Sequence, residues 1–195
     1  QRQMCIRDRY FSRDPRLAMT IYTNEAAFKD THLECWAGGK NGKGVANATT
    51  TGYYLHKFID EDLDLAQGRT SIHTWIFFRI SEMYLIKAEA LGKTNGAAAL
   101  VEYMKKRYTT ATSEAAIKAI SDKEYQTLIL DERRREFYAE GMRWQDIKRT
   151  NRLELLETLD GRTYLMYYPI PQDEIDMAGT VAYPQNPGYA GYTGN

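Results

Sequence analysis

Apolar and polar residues alternate at helical spacing most clearly between Ser121 and Arg152. Ser121 followed by Glu124 is typical of a capping box, in which each side chain bonds an amide left free at a helix start. Three apolar residues and then three glutamates share one face of the predicted helix: Tyr125, Leu128, Ile129, Glu132, Glu136 and Glu140. An apolar stripe therefore turns into a row of carboxylates, here called the glutamate row (Glu132, Glu136 and Glu140).

Burying such a row is costly unless basic side chains meet it. Arginines stand within this segment and again beyond Gly141, a residue that suits the position just after a helix end. A second helix is predicted from Met142 to about Asn151, with Trp144 and Ile147 facing the core. We therefore expect two helices joined by a structural ion-pair seam, whose predicted members are Glu132, Arg133, Glu136, Glu140, Arg143 and Arg149.

Glutamates one turn apart also suit a second interpretation, a glycosidase that uses Glu132, Glu136 or Glu140. Acid catalysis of that kind requires one carboxyl pKa to be raised by burial or by a like charge. Neighbouring arginines act in the opposite direction, because an opposite charge within a few ångströms lowers a carboxyl pKa. The sign of this effect favours the structural seam, and no residue is assigned a catalytic role.

Two segments upstream predict a helical hairpin. The sequence from Arg79 to Leu91 predicts a helix that ends at Gly92 and is buried on most of its circumference. Asn95-Gly96 predicts a tight turn. The inward residues of the following helix are Ala97, Leu100, Val101, Met104 and Tyr108. Such pairs are the unit of tetratricopeptide-type stacks, so the predicted fold class is mainly α: tetratricopeptide-like helix pairs with long irregular loops and few short strands.

The remaining segments are less regular. Asp14-Pro15 predicts a turn that opens into a strand over residues 18–22. A glycine-rich stretch over residues 31–52 predicts a long loop. Residues 164–168 are expected to be extended, because two prolines follow closely.

Composition excludes several classes of function. Lysine plus arginine and aspartate plus glutamate number 26 each in the 195 residues, so no net charge favours nucleic acid. No apolar window approaches the length of a membrane span. The scattered His32, His56 and His73 offer no metal or triad spacing. We predict no metal site and no cofactor.

Two smaller clusters leave alternatives open. The acidic turn at residues 60–64 could bind calcium, yet it lacks the glycine and the oxygen spacing of an EF-hand loop, which favours a solvated turn. Cys5 and Cys35 show no metal-binding spacing, and a single Cys5–Cys35 bridge stays an untested alternative.

Six blocks, taken in order, resemble the C-terminal part of SusD/RagB-type proteins. They are DPRL at 14–17, TGYYLHKF at 51–58, RISEMYLIKAEAL at 79–91, ERRREFYAEGMRWQDIKR at 132–149, YPIPQDEI at 168–175 and QNPGY at 185–189. The resemblance implies a mainly α-helical lipoprotein, exposed at the outer surface of the outer membrane of Bacteroidetes-type bacteria. Residues 10–195 are then expected to form one domain, a C-terminal fragment without its lipid anchor, and residues 1–9 to be non-native or disordered.

The resemblance also implies a function. Proteins of this type capture glycans, or peptides in some cases, and act without catalysis beside a SusC-like TonB-dependent outer-membrane transporter. A general helical-repeat scaffold for protein partners is the alternative that binds no small ligand. Because aromatic faces stack on sugar rings, Trp36, Tyr53 and Tyr54 are the candidate ligand residues. The competing interpretation of Trp36 is an anchor that fixes the long loop to the core.

Overall fold

A computed structural model describes residues 13–63, 71–107, 112–156, 162–178 and 183–189. The chain forms two compact units, Gln1–Met142 and Arg143–Asn195. Residues 1–9 lie outside the described residues, so the expectation for them stays a prediction, as does the single domain expected for 10–195.

Helices dominate the structure, and the strands are short. The first unit contains α1 (Arg16–Thr20), β1 (Ile21–Tyr22), β2 (Ala27–Phe28), β3 (Thr31–His32), β4 (Tyr54–Leu55), α2 (Ile80–Lys105), α3 (Glu114–Ala119) and α4 (Asp122–Glu136). From the unit boundary onward follow α5 (Met142–Thr150), 3-10 turns at Leu153–Leu155 and Thr163–Met166, and α6 (Gln172–Met177). The predicted mainly α class with few short strands is confirmed. None of the described helices is both long and apolar enough to cross a lipid bilayer.

A helix occupies most of the segment over residues 18–22 where the sequence predicts a strand. Pro15 has a helical φ of −59° and ψ of −22°, and the Asp14 side chain accepts a hydrogen bond from the Arg16 amide at 3.0 Å. Proline geometry and a side-chain acceptor favour a helix start, so the turn continues as α1. Only Ile21 and Tyr22 are extended, and they pair antiparallel with β4.

The helical hairpin turns at Gly92 rather than at Asn95-Gly96. Gly92 interrupts α2 with a φ of 66°, a conformation that glycine adopts without the cost of a Cβ atom. Asn95 and Gly96 are helical, so the tight turn predicted there is wrong. A Cβ atom at Gly96 would lie 2.1 Å from the Ala88 carbonyl oxygen. Gly96 thus permits the close approach of the two arms of α2.

The core of the first unit lies between α2, α3 and α4. Its largest fully buried apolar side chains are Leu85, Leu100, Tyr103, Ile117, Ile129 and Leu130. The predicted inward positions Ala97, Leu100, Val101 and Met104 are confirmed as buried, and Tyr108 lies outside the described residues. The predicted capping box of Ser121 and Glu124 is present. Local spacing therefore identified most of this core.

One prediction about α2 is wrong. Its first arm is not buried on most of its circumference, because Ile80, Met83, Ile86 and Leu91 are exposed. The helix packs against α3 and α4 on its other side. The residues just before it are also apolar and open, with Phe77 and Phe78 exposed to 73% and 77%. Apolar spacing marks a face that can be buried without showing that a neighbour covers it.

In the second unit, packing overrides the extended conformation predicted for residues 164–168. Residues Thr163–Met166 form a 3-10 turn, and the backbone becomes extended only at Tyr167. The Tyr164 ring packs edge-to-face on Tyr189, with 5.0 Å between ring centroids. Tyr189 also donates a hydrogen bond from its hydroxyl to the Tyr167 carbonyl at 2.8 Å. These contacts explain why the segment turns before its prolines.

Gly96→Ala should destabilise the protein, because the added Cβ atom would meet the Ala88 carbonyl at 2.1 Å and the Tyr125 hydroxyl at 2.7 Å. Overpacking of this kind costs about 1–3 kcal/mol. The control is Ala98→Ser at an exposed position two residues on, which should stay within about 0.5 kcal/mol of wild type. Urea unfolding measures both changes, and equal stabilities of the two variants would contradict the close approach.

Candidate functional site

Glu136 is the most highly coordinated member of the glutamate row. It is 4% exposed. Its Oε1 accepts hydrogen bonds from Arg79 Nη1 at 2.5 Å and from Arg107 Nη2 at 2.7 Å. Its Oε2 accepts from Arg16 Nη1 at 2.9 Å and from the Tyr103 hydroxyl at 3.0 Å. Three guanidinium groups therefore converge on one buried carboxylate.

The other two glutamates of the row are paired as well. The pairs are Glu132 with Arg16 and Arg135, and Glu140 with Arg79 and Lys57. Arg16 comes from α1, Lys57 follows β4, and Arg79 and Arg107 flank α2. Four segments distant in sequence thus supply basic side chains to a single row. We call this set of contacts the ion-pair seam.

Basic side chains also determine where α4 ends. The helix stops at Glu136, whereas the sequence places its end near Gly141. The Glu136 main-chain carbonyl accepts hydrogen bonds from Lys57 Nζ at 3.1 Å and from Arg79 Nη2 at 2.5 Å. Cations at a helix C-terminus satisfy carbonyls that have no partner within the helix. Glu140 is therefore brought to the seam by the turn that follows α4, not by α4 itself.

The predicted arginines of the seam occupy varied positions. Arg133 donates to Glu82 at 3.4 Å, and its guanidinium carbon lies 5.1 Å from the centre of the Phe137 ring. Arg149 pairs with Asp146 one turn away in α5 at 2.9 Å. Arg143 is half-buried in the second unit. Sequence analysis missed the distant partners Arg16, Lys57, Arg79 and Arg107; their only signal is a basic residue placed within or beside an apolar run.

The seam has a defined electrostatic consequence. Burial raises the pKa of the Glu136 carboxyl. The three guanidinium groups and the Tyr103 hydroxyl lower it by a larger amount, so the pKa falls to about 2. The carboxylate is therefore ionised at neutral pH and has no proton to donate. With both oxygens occupied and its side chain buried, it suits a structural role and not general acid catalysis.

A cleft of about 800 Å³ opens in the first unit, and three tyrosines line it. Tyr53 and Tyr138 are 39% and 47% exposed. Tyr54 is half-buried, and its hydroxyl accepts from the Thr49 amide at 3.2 Å and donates to the Asn41 carbonyl at 2.9 Å. Tyr54 thereby tethers the long loop, while the other two tyrosines are exposed at the cleft.

The three predicted ligand residues do not all meet. Tyr53 and Tyr54 lie together at the cleft, whereas Trp36 is not among its lining residues. The Trp36 side chain is exposed. Tyr138 escaped sequence analysis because it follows a helix of charged residues, and helical spacing alone gives no sign that it lines the same cleft as Tyr53.

Charged residues complete the wall of the cleft. They are Arg13, Arg16, Arg134, Arg135, Asp14 and Asp131. Arg16 and Arg135 also belong to the ion-pair seam. The seam therefore fixes part of the cleft wall, and disorder in one would disturb the other.

The smaller clusters that the sequence singles out lie only partly within the described residues. Among the described residues, no group of three or more histidine, cysteine, aspartate or glutamate side chains could hold a metal ion. Glu61 of the acidic turn accepts a hydrogen bond from Tyr22. Cys35 is a free, buried thiol whose pKa is raised by burial, and Cys5 lies outside the described residues.

A family model described as the SusD family matches residues 1–162. The chain belongs to the SusD family. A SusD-like protein of Formosa agariphila is 39% identical over 97 residues, which are 45% of this chain and 19% of that protein. The crystal structure of a SusD-like protein from Bacteroides fragilis matches with a TM-score of 0.70 at 25% identity.

The match to the Bacteroides fragilis structure covers 92% of this chain and 40% of that one. The SusD-family chain thus spans less than half the length of its solved relative. The resemblance inferred from the six blocks is confirmed, and so is the tetratricopeptide-like fold.

Glu136→Ala should destabilise the protein by about 3–5 kcal/mol, because it leaves three guanidinium groups without their shared carboxylate. The control is Glu114→Ala, which removes an exposed pair with Lys118 and should cost below about 1 kcal/mol. Denaturant unfolding measures both. Similar costs for the two variants would show that the seam contributes no more than a surface pair.

Acid should weaken the protein through Glu136. The unfolded carboxyl binds a proton near its ordinary pKa of 4.5, whereas the folded one stays ionised down to about 2. Stability from Glu136 is therefore complete above pH 4.5 and is lost as the pH falls towards 2, with a slope of up to about 1.4 kcal/mol per pH unit.

The measurement is urea unfolding of wild type and Glu136→Gln between about pH 6 and pH 2. The difference in unfolding free energy between them should shrink with acidification, because the variant has no carboxyl to titrate at this position. A constant difference would contradict the lowered pKa.

Proposed function

We propose that this chain is part of a non-catalytic SusD-family protein that captures glycans, with the cleft of the first unit as its ligand site. The supporting observation is that Tyr53 and Tyr138 present open rings on a cleft of about 800 Å³. That volume lies within the range of small-molecule pockets. Aromatic rings with a polar tip suit sugars, which offer an apolar face and a rim of hydroxyls.

The state of the glutamate row supports a binding role over the glycosidase alternative. A glycosidase needs a protonated carboxylic acid and a second carboxylate, both in reach of the sugar. Glu132 and Glu136 are buried, and each is held by at least two arginines. Neither is placed to meet a substrate in the cleft.

Family membership supports the wider setting. In the full-length protein we propose a lipid-anchored protein at the outer surface of the outer membrane, working in nutrient uptake. Its partner is a SusC-like TonB-dependent transporter, which receives the captured ligand. Peptide capture is the alternative within the same family, and the binding experiment below separates it from glycan capture.

The test is isothermal titration of the 195-residue chain with a panel of neutral and acidic oligosaccharides and short peptides. Tyr53→Ala and Tyr138→Ala should each weaken glycan binding about three- to tenfold, since one aromatic contact contributes about 0.5–1.5 kcal/mol. The matched control is Tyr168→Ala, which removes an exposed ring outside the cleft. Trp36→Ala tests the remaining predicted ligand residue.

The outcomes separate the candidates. Glycan binding that weakens in the two cleft variants and not in Tyr168→Ala supports the proposal. Binding of peptides alone would replace glycans by peptides as the ligand. Weakening by Trp36→Ala with no effect of the cleft variants would move the site to the long loop, and no binding of any probe would overturn the proposal for this chain.

A further inference from the structure

The wall of the cleft carries more positive than negative side chains. Four arginines line it, against two aspartates. The seam behind the wall does not reverse this excess. Around Arg16 and the glutamate row, five basic side chains (Arg16, Lys57, Arg79, Arg107 and Arg135) meet four carboxylates (Asp14, Glu132, Glu136 and Glu140). Positive side chains therefore outnumber negative ones on the cleft wall, and the pairs behind it do not reverse that excess.

The four arginines of the wall are not equivalent. Arg16 is engaged by Asp14, Glu132 and Glu136, and Arg135 is engaged by Glu132. Their charges are therefore largely neutralised by the seam.

Arg134 differs from those two arginines. Its side chain is exposed, and within the part of the chain that the structure describes it has no ion-pair partner. Asp131, one turn earlier on α4, also lines the cleft but forms no ion pair with it in that part of the chain. Arg134 thus presents an available guanidinium group to a ligand in the cleft.

A guanidinium group has a preferred ligand chemistry. Its planar fork of N–H donors matches the two oxygens of a carboxylate or a sulfate, and it binds them with charge-assisted hydrogen bonds. The same cleft offers the open rings of Tyr53 and Tyr138 for stacking. An aromatic surface beside an available arginine suits a sugar ring that bears an anionic group.

We propose that the cleft selects acidic saccharides, with Arg134 as the residue that binds the carboxylate or sulfate group. This inference rests on the proposed glycan-binding function and specifies its ligand class. Asp131 sets the limit of the selectivity, because its carboxylate repels the same ligand from the same wall. The two residues therefore act in opposite directions on one affinity.

The experiment compares four probes by isothermal titration of the 195-residue chain: tetragalacturonate, a sulfated κ-carrageenan tetrasaccharide, neutral maltotetraose and an acidic tetrapeptide. At least one acidic probe should bind about tenfold more tightly than the neutral one, the equivalent of about 1.4 kcal/mol. Its affinity should fall as sodium chloride is raised, because salt screens exposed charges. The arms also show whether carboxylate or sulfate is preferred.

Three variants assign the effect to residues. Arg134→Gln should weaken the acidic probe about tenfold and leave maltotetraose unchanged, while Asp131→Asn should strengthen the acidic probe. Lys123→Gln is the matched control, because it removes one positive charge from an exposed position on the same helix outside the cleft. Thermal unfolding of each variant checks that the fold is retained.

Each of the other outcomes overturns one part of the proposal. Equal affinity for acidic and neutral probes overturns the charge selectivity and leaves glycan capture standing. An acidic preference that Arg134→Gln does not reduce overturns the role of Arg134. Tighter binding of the acidic tetrapeptide than of either acidic sugar overturns the assignment of a saccharide as the ligand. Failure of wild type to bind any sugar overturns the proposed function itself.

Discussion

Burying Glu136 imposes the strongest constraint on the first unit. A carboxylate removed from water must find compensating charge, and this one finds it in arginines from α1 and from the two flanks of α2. Two of those arginines also bond residues of their own segment, Arg16 with Asp14 and Arg79 with Ser81. The pair β1–β4 brings Lys57 to the same place, where it meets Glu140. Segments with short or irregular structure therefore converge on the end of α4 through charge, while apolar packing unites α2, α3 and α4.

This arrangement connects the stability of the first unit to the proposed ligand site. Arg16 bonds the buried glutamates on one side and lines the cleft on the other. The strand residue Tyr54 lines the same cleft and anchors the long loop through its hydroxyl. A ligand in the cleft would thus meet a wall already ordered by the seam. Preordering of this kind lowers the entropy cost of binding.

The spacing of residues along the chain predicted the structural features that local interactions determine. The capping box of Ser121 and Glu124, the helix that it starts and the inward face of the second arm of α2 all follow from residues within a few turns of one another. The helix over Arg16–Thr20 is also local, because it begins at Asp14 and Pro15, although the sequence predicts that their turn leads into a strand. Tertiary contacts decide the rest. The end of α4 depends on Lys57, which lies 79 positions away and leaves no trace in the local pattern.

The residues of the candidate site likewise fall into those visible from the local sequence and those that depend on the fold. The glutamate row was visible as a periodic feature, but its main partners were not, since charge complementarity between distant segments has no period. Tyr53 and Tyr54 are predicted as ligand residues because they follow a glycine-rich loop, a local feature. Tyr138 and Arg134 required the fold, because only the approach of α4 to the β1–β4 pair places them beside those tyrosines.

The run ERRRE at 132–136 shows how one short sequence serves both purposes. Glu132 and Glu136 are four residues apart and point into the seam, and Arg133 lies buried against Glu82. Arg135 bridges the seam and the cleft, and Arg134 is left at the open wall. Because successive helix positions are 100° apart, five consecutive charged residues must face different surroundings. The buried members are constrained by the carboxylate network and Arg135 pairs with Glu132, which leaves position 134 as the one in this run where a change of side chain alters the cleft wall without removing a partner from the seam.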